Sequence, residues 1–274
     1  MPELPEVETL RRSLLPTLVG CRIDGVRVYD RRLRYPVRTR TLKRLVAGRH
    51  VQDVERRAKY LLLALEDGGR ILIHLGMSGR LSLAPAGKPR EPHVHVVFEL
   101  NDQRELRFRD PRRFGLVDVA TANEIKRDRR LTTLGVEPLS DDFNADRLHT
   151  STRGLRKPIK NFLMDAKKVV GVGNIYASEA LFLAGVHPKR AAGRLSLERW
   201  RRVISSVKRV LHDAIERGGT TINDFQNGHG DPGFFQLSLR VYDREGEPCK
   251  RCAGIVRRKV LAGRSTFYCP TCQR

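Results

Sequence analysis

Tyr60-Leu61-Leu62-Leu63-Ala64-Leu65, then Glu66-Asp67-Gly68-Gly69, then Arg70-Ile71-Leu72-Ile73-His74-Leu75, is the stretch that decides the fold of the first half of the chain. Two six-residue apolar runs are too short for helices, and Asp-Gly-Gly between them is turn chemistry, so they read as a β-hairpin. A second pair lies downstream, His93-Val94-His95-Val96-Val97-Phe98 and Glu105-Leu106-Arg107-Phe108, with Asn101-Asp102 marking the turn. From about Arg22 to Val119 the pattern stays one of short apolar runs separated by turns, with a connecting loop from Ala84 to Pro92. This predicts a β-sandwich or barrel.

Upstream, Val7, Leu10, Leu14, Leu15 and Leu18 fall at helical spacing. Pro5 suits a first turn and Gly20 closes the segment, so one helix leads into the strands. Downstream of about Thr121 the sequence turns helical. In Ser196 to Arg217, residues Leu197, Trp200, Val203, Ile204, Val207, Val210, Leu211 and Ile215 line one face, and Gly218-Gly219 ends it. Thr220 to Gly233 is rich in Asn, Gly, Asp and Pro and reads as a long loop. From Leu237 a strand is expected, followed by a cysteine-framed hairpin. The fold class is therefore multidomain α+β, divided at 1–130, 131–236 and 237–274.

Charge narrows the partner. Fifty-three Lys and Arg against thirty-one Asp and Glu leave +22 over 274 residues. An excess of that size points to a polyanion, most simply nucleic acid, and the competing reading is a solubilising surface. The most apolar long stretch, Val169 to Val186, carries Asn174, Ser178 and Glu179, so no bilayer span is expected. Met1-Pro2-Glu3-Leu4-Pro5-Glu6 has acids where a signal peptide needs basic residues, and a cytoplasmic protein is expected.

Four motifs carry chemistry. Cys249-Lys250-Arg251-Cys252 and Cys269-Pro270-Thr271-Cys272 stand sixteen residues apart. Two such knuckles supply four thiolates to one tetrahedral Zn²⁺, closed to water and therefore structural; redox dithiols are the alternative. Arg257, Arg258, Lys259 and Arg264 lie between them, with Gly263 at a turn, so the hairpin offers cations to phosphates. Cys21 stands alone as a small buried residue. Gly171-Val172-Gly173-Asn174 precedes a helix that Asn174 is expected to cap, leaving backbone N–H groups for a phosphate or serving packing alone. His74 to Gly79 and Asp110-Pro111-Arg112-Arg113-Phe114-Gly115 hold Met77 and Phe114, which are either core residues or side chains that enter a duplex. At the N-terminus, removal of Met1 exposes the Pro2 secondary amine. With a reference pKa of about 8 it is neutral more often than lysine and suited to iminium formation, with Glu3 beside it to move protons. The alternative is a proline-led surface helix.

Taken in order, Met1-Pro2-Glu3-Leu4-Pro5-Glu6-Val7-Glu8-Thr9, Arg57-Ala58-Lys59-Tyr60-Leu61, His74 to Gly79, Asp110 to Gly115, Gly171 to Tyr176 and the cysteine frame resemble the formamidopyrimidine-DNA glycosylases, bacterial enzymes that remove oxidised purines and cleave the abasic site. The resemblance runs from residue 2 to the C-terminus. It implies an N-terminal β-sandwich with a leading helix, a helix-two-turns-helix domain and a zinc-finger hairpin, acting as a monomer on damaged double-stranded DNA held between the domains. It also implies roles: Pro2 as Schiff-base nucleophile, Glu3 as proton donor, Lys59 for β-elimination and Arg264 for δ-elimination. Met77, Arg112 and Phe114 match the trio that fills the void left by the extruded base, with Arg112 facing the widowed cytosine. His74, His93, Lys160 and Asn174 correspond to DNA-contacting positions. The family's lysine shortly before Lys160 is absent, and Arg156 is a nearby substitute. The loop 220–235 resembles the flap over the flipped base. Endonuclease VIII is a variant within the superfamily, though its start departs from Leu4-Pro5-Glu6-Val7. A zinc-dependent DNA binder without catalysis is the rival from another class.

Overall fold

In the computed structural model, residues 2–220 and 234–274 are described. The chain divides into two compact units, Met1–Thr132 with Gly218–Phe234, and Thr133–Arg217 with Phe235–Arg274.

The first unit opens on helix α1, Leu4–Leu18. Leu4, Val7, Leu10, Leu14 and Leu18 form its buried face, and Pro5 sits in the first turn where an N–H has no partner to lose. There follow β1 (Arg22–Val28), α2 (Thr39–Val46), β2 (Arg49–Arg57), β3 (Tyr60–Leu65), β4 (Arg70–His74), β5 (Arg80–Pro85), β6 (Val94–Leu100), β7 (Arg104–Arg109) and β8 (Leu116–Ala120). Their order is β5-β7-β6-β1-β2-β3-β4-β8. β1 and β2 share only the pairs Arg22↔His50 and Ile23↔Arg49, so the sheet is continuous in name and consists of two four-stranded halves. Val26, Val96, Phe98 and Phe108 of one half, Val54, Leu63, Ile71, Ile73 and Val117 of the other, and Leu10 and Leu14 of α1 share one core. This is the expected β-sandwich with a leading helix.

The unbroken apolar runs of β3 and β4 have a specific cause. Their second face is also covered: Leu62, Leu72, Leu116 and Ala120 pack with Tyr60, Ile125 and Leu131, the last two on the short helices α3 (Ala122–Ile125) and α4 (Arg129–Thr132). A sheet buried on both faces loses its polar alternation. Helix α2 lies in a stretch expected to hold only strands and turns. Its signal was Leu42 and Val46, four residues apart and both buried, in a segment otherwise cationic.

The second unit holds α5 (Ala145–Thr152), α6 (Ile159–Leu163), α7 (Asn174–Ala184), α8 (Leu197–Glu216), β9 (Arg257–Leu261) and β10 (Arg264–Tyr268). α8 begins at the Ser196 cap, whose hydroxyl accepts the Arg199 N–H, and buries the predicted face from Trp200 to Ile215. α7 is buried nearly all round and packs against both α8 and β10. The strand expected from Leu237 is not formed. Phe235–Ser238 is a single 3-10 turn, and the N–H groups of Arg240, Val241 and Tyr242 donate to the Glu179 carboxylate at 2.8–3.1 Å. Donors that a strand would give to a neighbour are taken by one buried acid from α7. Burial raises the Glu179 pKa, against the opposing pull of those N–H groups. The hairpin set apart from sequence as a third domain packs in the same compact unit as the helices. No helix among the described residues is long and apolar enough to cross a membrane.

Candidate active site and nucleic-acid interface

At the start of α1, Pro2 is half-buried and Glu3 is 4% exposed. The Glu3 N–H donates to Glu6 Oε2 at 2.7 Å, and Glu6 Oε1 accepts the Thr220 N–H at 2.9 Å. One buried carboxylate therefore fixes the backbone next to Pro2 and the residue at which the expected flap begins. Of that flap, residues 221–233 lie outside the described residues.

Lys59 sits in the two-residue turn between β2 and β3, where Ala58 has φ +55°. Glu8 of α1 is bonded to Arg11 and to Arg56 (2.9 Å), and Arg56 Nη1 donates to the Ala58 carbonyl at 3.0 Å. Burial pushes the Glu8 pKa up, but the two arginines outweigh it, and the net shift is downward. Helix α1, which starts two residues after Pro2, and the turn that carries Lys59 are thus joined by a largely buried ion pair.

Met77 and Phe114 are 40% and 46% exposed, which decides between the core and surface readings left open by the sequence. Arg112 is exposed too, with its guanidinium 5.0 Å from the centre of the Phe114 ring. The two turns carrying these side chains press together backbone to backbone. A Cβ at Gly76, which has φ +64°, would lie 2.5 Å from the Phe114 carbonyl oxygen, so glycine is required on both counts. His74 Nδ1 accepts the Gly76 N–H at 2.9 Å, which leaves the proton on Nε2. Burial, then the charges of Lys59 and Arg34, hold the His74 pKa down to about 4. At neutral pH it offers a neutral hydrogen-bond donor and no cation. His93 is exposed, with φ +68°, beside His95.

In the second unit, Gly173 caps α7 rather than Asn174. Asn174 occupies the first helical position, and its Oδ1 accepts from Lys160 Nζ at 2.6 Å. Lys160 is 1% exposed and also donates to Thr266 Oγ1 at 2.8 Å and Ser265 O at 3.0 Å. The residue expected to meet DNA directly is buried, and it ties the start of α7 to the strand that begins with Arg264. Arg264 itself is exposed, just after the Ala262-Gly263 turn, whose φ values are +47° and +71°. Such a pair is what a two-residue hairpin loop needs. Arg156 is exposed on the loop before α6. Cys21 is half-buried, its thiol directed at the Thr17 carbonyl.

The Sγ atoms of Cys249, Cys252, Cys269 and Cys272 lie within 4.8 Å of one another, with Cys252–Cys269 at 3.5 Å and Cys249–Cys272 at 3.9 Å. A tetrahedron with Zn–S bonds of about 2.3 Å has edges of about 3.8 Å. Burial and the neighbouring thiols push Cys272 up to about 12, so four thiolates this close require a cation between them. The donor set fits one structural zinc ion, held by these four residues.

The family models decide the relationship. The formamidopyrimidine-DNA glycosylase N-terminal domain matches residues 1–117, the H2TH domain of the same enzymes 134–226, and the zinc finger found in FPG and IleRS 246–274. The chain belongs to the formamidopyrimidine-DNA glycosylase family. It is 48% identical to the formamidopyrimidine-DNA glycosylase of Xanthomonas oryzae pv. oryzae and 49% to that of Stutzerimonas stutzeri, each over the full length of both chains. Among solved structures, a Lactococcus lactis Fpg variant in complex with Fapy-dG-containing DNA superposes with a TM-score of 0.92 at 32% identity, covering both chains fully. The MutM (Fpg) protein of Thermus thermophilus gives 0.88 at 41% identity, covering 99% of this chain and 98% of its own. For this glycosylase family member, sequence reasoning missed Glu6, Glu8 and Arg56. Only pairing in space exposes them.

Proposed function

We propose that this chain is a base-excision-repair enzyme that removes oxidised purines, 8-oxoguanine and formamidopyrimidines, from duplex DNA and then cleaves the abasic site. The observation that carries the assignment of the chemistry is the N-terminus. Pro2 stands just before the Glu3 cap of α1, and Glu3 is buried with its backbone clamped by Glu6. A nucleophile needs this fixed position more than it needs exposure, because misplacement of a reacting atom by about 1 Å costs on the order of a hundredfold in rate.

In this reading, loss of Met1 frees the Pro2 nitrogen. It attacks C1′ of the damaged nucleotide, the C1′–N bond breaks and the base leaves with a proton that Glu3 helps deliver; the C1′–O4′ bond then opens, O4′ takes up a proton through Glu3, and the Pro2 nitrogen, having lost its own proton, is left double-bonded to C1′. The resulting iminium acidifies the C2′ protons. Lys59 acts in β-elimination of the 3′ phosphate and Arg264 in δ-elimination of the 5′ phosphate. Met77, Arg112 and Phe114 fill the gap, with Arg112 toward the opposite cytosine, and offset the few kcal/mol that extrusion costs. His74, as a neutral donor, His93, Arg156 and Asn174 contact the backbone. Lys160 orients Asn174 and adds its field from beneath. The zinc ion, when bound, fixes the hairpin, and the cysteines do no chemistry on DNA. The functional division is 1–130, 131–236 and 237–274, with 220–235 as the lesion-recognition loop. The enzyme works as a cytoplasmic monomer on damaged double-stranded DNA, with no membrane partner.

Borohydride reduction of a mixture with an 8-oxoguanine:C duplex tests this. A covalent protein–DNA adduct is expected, and Pro2→Gly should strongly impair its formation while the fold persists. A zinc-dependent DNA binder leaves no adduct, and unchanged excision by Pro2→Gly would remove Pro2 from the mechanism.

A further inference from the structure

The three side chains proposed to fill the DNA void stand on two turns separated by more than thirty residues of sequence. Such turns, with their apolar side chains in water, have little packing of their own to order them. Order has to come from the backbone beneath. Asp110 is fully buried, and its carboxylate is divided between the two turns. Oδ1 accepts the Ser78 hydroxyl at 2.6 Å, directly after Met77. Oδ2 accepts the Gly115 N–H at 2.7 Å, directly after Phe114. The Ser78 oxygen in turn accepts the Arg112 N–H at 3.2 Å. Asp110 is itself anchored: its N–H donates to the His93 carbonyl at 2.9 Å, and its carbonyl accepts from His95 Nε2 at 2.9 Å and from the Arg113 N–H at 3.2 Å.

We propose that Asp110 and Ser78 are positioning residues that lock the Met77 turn and the Arg112–Phe114 turn into one preordered wedge, and that the rate at which the target base leaves the stack depends on this clip. The inference rests on the reading of Met77, Arg112 and Phe114 as void fillers. Its physical basis is entropic. Turn residues left loose must be ordered during insertion, at the moment when unstacking is already costly. Turns locked in advance add nothing to that barrier, which is the general advantage of preorganisation. Ser78 is the sharper probe of the two. It touches neither reacting atoms nor, in this scheme, DNA, and its hydroxyl bonds both Asp110 and the Arg112 backbone.

The test compares Ser78→Ala, Ser78→Thr, Phe114→Ala and the double variant Ser78→Ala/Phe114→Ala with the parent enzyme. Two rates are read: single-turnover excision from an 8-oxoguanine:C duplex, and borohydride trapping on a single-stranded abasic oligonucleotide, which has no void to fill. Ser78→Ala should slow duplex excision about ten- to a hundredfold, the range for stranding buried polar partners. Trapping on the single strand should stay within about twofold. Ser78→Thr, which keeps the hydroxyl, should recover most of the duplex rate. In the Phe114→Ala background, loss of Ser78 should cost much less than it does alone, since the clip would then hold an empty wedge. Normal duplex excision by Ser78→Ala alongside a slow Phe114→Ala overturns the clip. So does an equal loss on both substrates, which would mean a general structural role. A Phe114→Ala enzyme as fast as the parent overturns the void-filling reading and the clip with it.

Discussion

The wedge turns of the first unit and the cysteine hairpin of the second solve the same problem by different means. Each holds short, exposed, cation-bearing turns in shape, the hairpin over a small cluster of Val241, Val256 and Phe267 with Phe182 of α7. Under the wedge, a buried carboxylate and close-packed glycines tie the turns to the β-sandwich. In the hairpin, four thiolates around a metal ion close the knuckles, and the cations of β9 and Arg264 are carried on the strands between them. The first device draws its stability from the surrounding fold. The second adds, to its packing on α7, a metal ion that the chain does not encode. Their vulnerabilities should therefore be separable.

The sharpest separation is metal removal. Apparent binding energies of structural zinc are about 10–16 kcal/mol, so chelation or Cys269→Ala should unfold the hairpin and weaken DNA binding, while the cooperative melting of the β-sandwich persists. Equal loss of both, followed by near-ultraviolet circular dichroism, would break the comparison. Next comes Gly76→Ala. The left-handed backbone and the clash with Phe114 together predict destabilisation of the first unit by roughly 3–5 kcal/mol, with zinc content unchanged by metal analysis.

Smaller again is the pH response of His74. Its pKa falls from 6.5 to about 4 on folding, so between those values the unfolded chain holds more protons and stability drops as the solution is acidified. The part due to His74 is at most about 3 kcal/mol, fully present above pH 6.5 and gone below pH 4. His74→Asn keeps an acceptor near Nδ1, and the difference between the denaturation curves of the two proteins should shrink as pH falls through that window. A constant difference would remove His74 as the source. The smallest effect is Arg258→Ala on the hairpin. Its ion pair with Glu245 is 3.6 Å long and open to solvent, so thermal stability should change by less than about 1 kcal/mol. A larger loss would mean that this exposed pair, and not the metal and the packing on α7, holds the hairpin.

How much was legible follows from the range of the interactions. Tyr60–Leu65 and Arg70–His74 emerge as strands where the sequence placed them, and α8 keeps its predicted face, because period and turn chemistry are local. The cysteine frame was readable because metal ligands announce themselves by type and spacing. The strand expected at Leu237 failed because a distant acid, Glu179, took its N–H groups. Asn174 gave up the capping role because Lys160 claimed its side chain. In each failure a local propensity was overruled by a partner far away in the chain.

The sequence alone determined the leading helix, the β3–β4 hairpin and α8, the four-thiolate metal site, the polyanion-seeking charge and the proline poised at the amino end. These depend on residue type and short-range pattern, which a one-dimensional string carries in full. Only the tertiary structure decided that Met77 and Phe114 face solvent, that Lys160 is buried, that His74 is held neutral, and that one carboxylate at Asp110 grips two remote turns. Burial and hydrogen-bond partnership are properties of neighbours in space, and they acquire values only once the chain has folded.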